Sequence, residues 1–443
     1  MLRLALALVL TLTAIPARAE VTIEEVVSPG GIRAWLVQEP SIPFAALEIR
    51  IRGGANLDLP GKRGAINLMV ALLEEGAADM DARAFQQARE ALAADFGFDV
   101  YDDAVSISAR FLTENRDQAI DLLRQALVQP RFDQDAIDRV RAQVLSIIDS
   151  DALDPDRIAG DVLFDMAYGE HPYGSDINGT AETVTGLTRD DIVTAQRNSL
   201  TRDRIFVGAV GDITPEALGT LLDTLLGDLP PEGPPLPEEA PYTLPGGVTV
   251  VDFDTPQSVA LFAQTSIERD DEDFFAAHIL NHILGGGGFE SRLMQEVREK
   301  RGLTYGIGTY LVPKDLSATI LGSVASSNAT VAQAIDVIRD EWARMASQGV
   351  TQAELDAAKT YITGEYPLRF SGNAPIAEIL VGMQMIGLPP DYVVNRNDYI
   401  NAVTLEDLNR VAAELLDPEG LHFVVVGQPE GLESTNQALS ESP

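Results

Sequence analysis

The chain has 443 residues, room for two or more domains, and 45% of them are hydrophobic, enough for substantial cores. It has no cysteine, which excludes disulfides, thiolate metal sites and a cysteine-borne lipid anchor. Sixty-eight acidic residues against 32 basic ones give a formal charge of -36, which disfavours nucleic acid and anionic membrane as partners and fits either cationic peptides or a solvated acidic surface.

The first 19 residues carry an early Arg3, an apolar run from Leu4 to Ile15, the breaker Pro16 and the small-residue pattern Ala17-Arg18-Ala19. This pattern reads as a signal peptide cut after Ala19, because the run is too short to span a bilayer. Its removal takes Arg3 and Arg18 away, so Lys+Arg falls from 32 to 30 and the charge moves to -38. No later segment approaches the roughly 20 apolar residues of a membrane span. An exported protein, in the style of a bacterial periplasmic one, is expected.

Alternation and turn chemistry predict three strands over 21–55, with a Pro-Gly-Gly turn at 29–31, arranged as an antiparallel meander. A short helix over 64–73 and an amphipathic one over 82–96 come next, then two strands joined near Asp102-Asp103. Helices are predicted over 115–128, 133–150, 156–168 and 188–199, with His171-Pro172-Tyr173-Gly174 as an ordered turn. RIFVGAVG is a strand and 214–226 a helix. Prolines exclude both helix interior and central strand over 229–241, LPPEGPPLPEEAP, an extended linker.

The pattern then restarts. VTVVDFD and SVALFAQTS are strands, 272–284 a helix running into Gly285–Gly288, and 291–300 a helix stopped at Gly302, followed by a strand-like segment with Tyr305. LSATILGSVAS is a strand, 330–348, 351–366, 375–386 and 404–416 are helices, and LHFVVVG closes the half. DQAIDLLRQAL matches AQAIDVIRDEW, and RIFVGAVG matches LHFVVVGQ. Together these predict an α+β fold of two homologous halves, 20–228 and 242–428, each an antiparallel sheet with helices packed on one face. A loose polar tail is expected over 429–443.

Candidate chemistry is sparse. His278 and His282 share a helix face, but Ile279 and Asn281 stand where either zinc signature needs glutamate, so core packing is the better reading. His171 reads as a turn cap and His422 as structural. Asp149, Asp151, Asp154 and Asp156 miss the calcium-loop pattern and read as a solvated helix end. Gly285, Gly286, Gly287 and Gly288 lack the Gly-Lys-Ser/Thr of a nucleotide loop, and no Gly-x-Ser-x-Gly elbow occurs. On residue type alone, Arg298 is a helix-surface charge and Tyr305 a half-buried strand aromatic.

GGxxxxxPGKRGAIN, FLTENRDQAIDLL, HPYG, LNHILGGGGFESRLMQEVREKRGLTYGIG and FVVVG resemble the pitrilysin/insulinase metallopeptidases, the group of mitochondrial processing peptidase and the core subunits of cytochrome bc1. The resemblance implies two halves facing each other around a chamber, with an inverted zinc motif H-x-x-E-H on the first helix and a distal glutamate. Those positions fall on Asn67, Val70, Ala71 and, for the distal ligand, Ile147, so the zinc site and its base are lost. Glu74 and Glu75 follow without an accompanying histidine. The family's substrate-holding pair R-x-x-x-x-x-x-Y is intact as Arg298 and Tyr305. An arginine fork and a tyrosine hydroxyl suit a peptide carbonyl and the oxyanion of a tetrahedral intermediate.

The resemblance thus implies a noncatalytic, substrate-binding subunit of a periplasmic zinc metallopeptidase heterodimer. Zinc would reside in a homologous partner bearing H-x-x-E-H, this chain would bind no cofactor, and peptide would be the substrate. The alternative is a structural or binding member with no role in proteolysis, like the bc1 core subunits. The glycine stretch 285–288 is either a flexible wall touching peptide or a tight helix-to-helix connection.

Overall fold

The computed structural model describes residues 22–435, so the signal-peptide segment lies outside the described residues. The first half runs β1 (Glu24–Val27), β2 (Arg33–Gln38), β3 (Phe44–Arg52), α1 (Ala65–Ala71), the short ladder β4 (Gly76–Ala77) and β5 (Met80–Asp81), α2 (Ala82–Ala91), β6 (Asp95–Val100) and β7 (Ala104–Leu112). It continues through α3 (Arg116–Val128), α4 (Gln134–Asp151), α5 (Pro155–Tyr168), α6 (Ala181–Thr185), α7 (Arg189–Ser199), β8 (Ile205–Gly211) and α8 (Pro215–Leu226). The second half runs β9 (Gly247–Asp252), β10 (Gln257–Thr265), α9 (Phe274–Asn281), β11 (Ile307–Pro313) and β12 (Ala318–Ser327). Then come α10 (Val331–Gln348), α11 (Gln352–Glu365), α12 (Asn373–Met385), α13 (Tyr392–Ala402), α14 (Leu405–Leu415) and β13 (His422–Gly427).

The duplication is visible in the sheets. The first is ordered β1-β2-β8-β3-β7-β6 and the second β11-β12-β10-β13-β9. Read from opposite ends, the two share one topology, with β6, β7, β3, β8 and β2 equivalent to β11, β12, β10, β13 and β9. Each has one parallel pair, β2 with β8 and β9 with β13, among antiparallel neighbours. The expected meander over β1–β3 is therefore broken. The turns reverse the chain as predicted, but β8 inserts between β2 and β3, a long-range pairing no local turn signal reports.

Alternation along β3 sends Leu47, Ile49 and Ile51 into a core shared with α1, α3, α4, α7 and α8, and leaves Glu48 and Arg50 on the other face. The second core gathers Phe262, Trp342 and Phe423 beneath α9, α10, α11 and α14. The remaining face of each sheet is covered by one helix from the other half. Ala159 and Leu163 of α5 pack on Ala263, Leu321 and Val424 of the second sheet. Ala377 and Leu380 of α12 pack on Trp35 and Val210 of the first. Gly208 of β8 permits the close approach, since a Cβ there would lie 2.4 Å from the Ala377 carbonyl oxygen.

Helix starts follow sequence chemistry. Reciprocal Thr/acid capping boxes open α7, α11 and α14, and proline opens α5 and α8. Helix α2 ends at Ala91, short of the predicted 96, because Ala93 takes a positive φ of 49 and the chain enters β6. Helix α13 was not predicted, its polar and apolar residues showing little periodic contrast. The tail is not loose up to Thr435. Thr435 and Ser434 accept hydrogen bonds from the Val248 and Val250 amides of the edge strand β9 (2.9 and 2.8 Å). These amides would otherwise lack partners.

Candidate functional site

The positions of the inverted zinc motif lie on α1 and α4, and the residues there do not suit a metal. The Asn67 side chain donates to the Asn178 side chain at 2.8 Å. Val70 is buried in the core, Ala71 has no donor atom, and Ile147 is 47% exposed on α4. Glu74 and Glu75 are engaged by Arg89 (2.7 Å) and Arg139 respectively. Among the described residues no group of three His, Cys, Asp or Glu side chains could hold a metal ion.

The second half's equivalent segment is built differently. After α9 the chain makes a π-helical turn, His282–Gly286, and a second one, Met294–Glu299, lies in the helix expected over 291–300. A Cβ on Gly285 would sit 2.4 Å from the Thr309 hydroxyl of β11, and one on Gly287 would sit 2.7 Å from the His282 carbonyl oxygen. Gly285 lets the turn lie directly against β11 and Gly287 lets it close on His282, whereas Gly288, at φ +59, faces open space. Gly302, at φ +64, ends the second turn, its amide bonded to the Arg298 carbonyl at 2.8 Å.

Most of the basic run in this segment is neutralised. Arg292 donates two hydrogen bonds to the Glu354 carboxylate (2.6 and 2.9 Å), which also caps α11, and the Glu354 carboxyl is held down at about 2 against the opposing effect of burial. Buried Glu296 takes Lys300 at 2.5 Å and Arg301 at 2.7 Å, and their hydrogen bonds lower its pKa. Sequence reading missed both anchors. The Thr351-x-x-Glu354 box was legible, but Arg292 is distant in sequence. Arg298 differs. It pairs with adjacent Glu299 at 3.1 Å and lies over the Phe289 ring, 4.6 Å from its centroid. Tyr305 is not a half-buried strand residue. It precedes β11 and is 88% exposed, so both side chains present donors to solvent.

The histidines are structural or packed. His171 accepts from the Tyr173 amide (3.1 Å), and buried His422 bonds to Thr249 and Pro245. His278 stacks on Phe274, and burial with Arg396 nearby pushes its pKa down to about 4, which leaves it neutral at pH 7. His282 lies against Tyr361 (5.1 Å between ring centroids). Asp154 of the acidic cluster caps α5 through the Asp156 amide.

Between the halves lies a cleft of about 400 Å³, lined by Asp102, Asp161 and Tyr173 from the first half and Tyr310, Lys314 and Ser323 from the second. Burial, reinforced by Asp176 and Asp151, raises the Asp161 carboxyl to about 6. Strands β6 and β11, equivalent edge strands of the two sheets, approach one another through the Lys314–Asp102 contact beyond their tips.

Comparison with known proteins accounts for this architecture. Residues 33–181 match the family model "Insulinase (Peptidase family M16)", and residues 186–362 match "Peptidase M16 inactive domain". The chain belongs to peptidase family M16. Among M16 relatives, a non-peptidase homolog from Helicobacter pylori is 25% identical over 389 residues, covering 87% of this chain and 89% of its own. An uncharacterized zinc protease of Bacillus subtilis is 24% identical over 393 residues, covering 87% and 93%. The crystal structure of a peptidase M16 inactive domain from Pseudomonas fluorescens superposes with a TM-score of 0.86 at 27% identity, covering 93% of this chain and 99% of that one. Among the described residues of this M16 member, no helix is long and apolar enough to cross a membrane.

Proposed function

We propose that this chain is the noncatalytic, substrate-binding member of a periplasmic M16 peptidase pair. A homologous subunit bearing H-x-x-E-H supplies zinc, base and water, and this chain supplies Arg298, Tyr305 and half of the chamber wall. The observation that carries the reading is a contrast within one fold. The zinc positions are occupied by Asn67, Val70, Ala71 and Ile147, while Arg298, paired with its neighbour Glu299, and exposed Tyr305 are not bound by the Glu354 and Glu296 that hold Arg292 and Arg301. The name of the Helicobacter relative, a non-peptidase homolog, points the same way. An extended peptide adds as a strand to a sheet edge, with the acidic cleft between the halves suited to basic side chains. Arg298 then binds a backbone carbonyl or carboxylate, and the Tyr305 hydroxyl donates to the developing oxyanion. Zinc and signal-peptide export belong to this proposal.

The test is turnover of quenched fluorescent peptides by the H-x-x-E-H chain, with and without this protein. Cleavage by the mixture alone is expected. Arg298→Ala and Tyr305→Phe should lower kcat by about 100- to 1000-fold while the pair still co-elutes, the range seen when an oxyanion donor is removed. Unchanged turnover by both variants would assign the chain a structural role instead.

A further inference from the structure

A second cavity, of about 240 Å³, lies in the second half, away from Arg298 and Tyr305 in the sequence and lined by none of the Met294–Tyr305 segment. Three arginines, Arg269, Arg369 and Arg396, line it together with Tyr366, Tyr392 and His278. Such a gathering of cations is conspicuous in a chain with 68 acidic and 32 basic residues. Among the described residues, the ion pairs of the second half use Arg292, Arg298, Lys300, Arg301, Lys314, Arg344 and Arg410, and none of the three cavity arginines.

Arg396 sits on α13 and is only 6% exposed. Its guanidinium lies over the Tyr366 ring at 4.6 Å, and its Nη1 donates to the Ile362 carbonyl (2.9 Å) and to Asn397 (3.4 Å). Arg269 lies over Phe274 at 4.1 Å and donates to the Tyr392 hydroxyl at 3.2 Å. Acidic residues do approach this region: Asp270 adjoins Arg269 in sequence and Glu365 acts on His282, but neither lines the cavity. Stacking on a ring fixes a guanidinium plane and leaves its edge for an anion. A buried cation without a counter-ion is costly, and an anionic ligand removes that cost. His278, neutral at pH 7, adds no further positive charge.

The rest of the wall is apolar. Ile379 and Met383 come from α12, the helix that covers the first sheet, and Leu388 follows it. A purely inorganic anion would leave these side chains against water. The volume is below the roughly 300 Å³ at which drug-sized pockets begin, so the occupant is about one amino-acid residue in size. We propose that this cavity binds a small organic carboxylate with an aromatic or branched apolar body, Arg396, Arg269 and Arg369 holding the carboxylate and α12 with Leu388 covering the body. A free carboxylic acid and the C-terminal residue of a peptide share this chemistry.

Calorimetric titration of the full-length chain, without any partner, tests the assignment with N-acetyl-phenylalanine, its amide, and a tetrapeptide ending in phenylalanine. Saturable binding of the acid is expected, at least tenfold weaker for the amide. Arg396→Met and Arg369→Gln should each weaken acid binding at least fivefold. Arg369 is exposed and its variant reports even if the buried change prevents folding. Equal binding of acid and amide, binding unaffected by Arg369→Gln, or binding of inorganic phosphate as tight as the acid, would overturn the proposal, as would no binding at all. If acid and tetrapeptide both bind, the peptide C-terminus is a source. If the acid alone binds, the ligand is a free carboxylate. The partner-dependent turnover assay is separate, so failure here leaves the Arg298 and Tyr305 reading standing.

Discussion

The Lys314 ammonium lies 2.7 Å from the Asp102 carboxylate, joining the hairpin tip of the second half to the equivalent tip of the first. Around this contact the Asp315 amide donates to Asp103 (3.1 Å), Arg52 pairs with Asp315 (2.8 Å), and the Tyr173 hydroxyl donates to Asp103 while accepting from the Leu316 amide (3.2 Å). Both partners are about one-fifth exposed, and Lys314 also lies 4.4 Å from the Tyr173 ring centroid. Partial shielding places this pair above the 0.2–1 kcal/mol typical of exposed pairs. A double-mutant cycle with Lys314→Ala and Asp102→Ala, followed by urea denaturation, should give a coupling of about 1–2 kcal/mol. A coupling near zero would mean that Asp103 and Tyr173 hold the tips together without the ion pair.

The two halves, their strands and most helices were legible because alternation, caps and the linker are local signals, and the repeat multiplied them. The insertion of β8 between β2 and β3 was not, since the sequence of β8 says only that it is buried. The exchange of α5 and α12 between halves was invisible for the same reason: an apolar helix face does not state which sheet covers it. At the site, spacing and resemblance singled out Arg298 and Tyr305. The π turns, which shift each hydrogen bond by one residue, and the exposure of Tyr305 needed the structure. The arginine cavity draws on α9, α12 and α13, elements far apart in the chain and one of them unpredicted.

The glycine run should be divided by its contacts. A Cβ at Gly285 would meet both the hydroxyl and the amide nitrogen of Thr309, at 2.4 and 2.9 Å, and the second is backbone that cannot rotate away. Gly285→Ala should cost about 1–3 kcal/mol, the range for overpacking. Gly288→Ala meets no atom, and only its φ of +59 is strained, costing about 1–2 kcal/mol. Thermal denaturation checks the order. The double variant Gly285→Ala/Thr309→Ala tests the local cause, because it removes the Thr309 hydroxyl and methyl and keeps the backbone clash. If this variant recovers fully, the Thr309 side chain and not its backbone governs the site.

Metal removal should leave this chain unchanged. With Asn67, Val70, Ala71 and Ile147 at the family's zinc positions, its melting temperature is expected to be the same with excess EDTA or with added Zn²⁺. Ligand binding at 100 times Kd would add about 2.7 kcal/mol of stability, so a tight site would be plain in the melting curve. A zinc-dependent rise, with stoichiometric zinc by atomic absorption, would contradict the loss of the metal site.

Glu48 gives the sharpest pH dependence. It faces the first sheet's α12 side, is 8% exposed, and accepts a 2.5 Å hydrogen bond from Ser106. Burial raises its pKa from the usual carboxylate range to about 7, overcoming the opposing pulls of Ser106 and Arg50. Between about pH 4.5 and 7 the folded chain therefore holds a proton that the unfolded chain has lost. The unfolded state binds fewer protons, so stability falls as pH rises through this window, by about 3 kcal/mol for this group. Asp58 and Asp161, both raised to about 6, slope the same way, so the comparison must be made against a variant. Glu48→Gln keeps the shape and removes the charge. It should gain on the unsubstituted protein as pH rises from 5 to 8 in urea denaturation, while Glu378 of α12 no longer faces a carboxylate. If the two proteins lose stability in parallel across that range, Glu48 is ionised in the folded state at the lower pH, and its burial is offset by partners on α12 or β7.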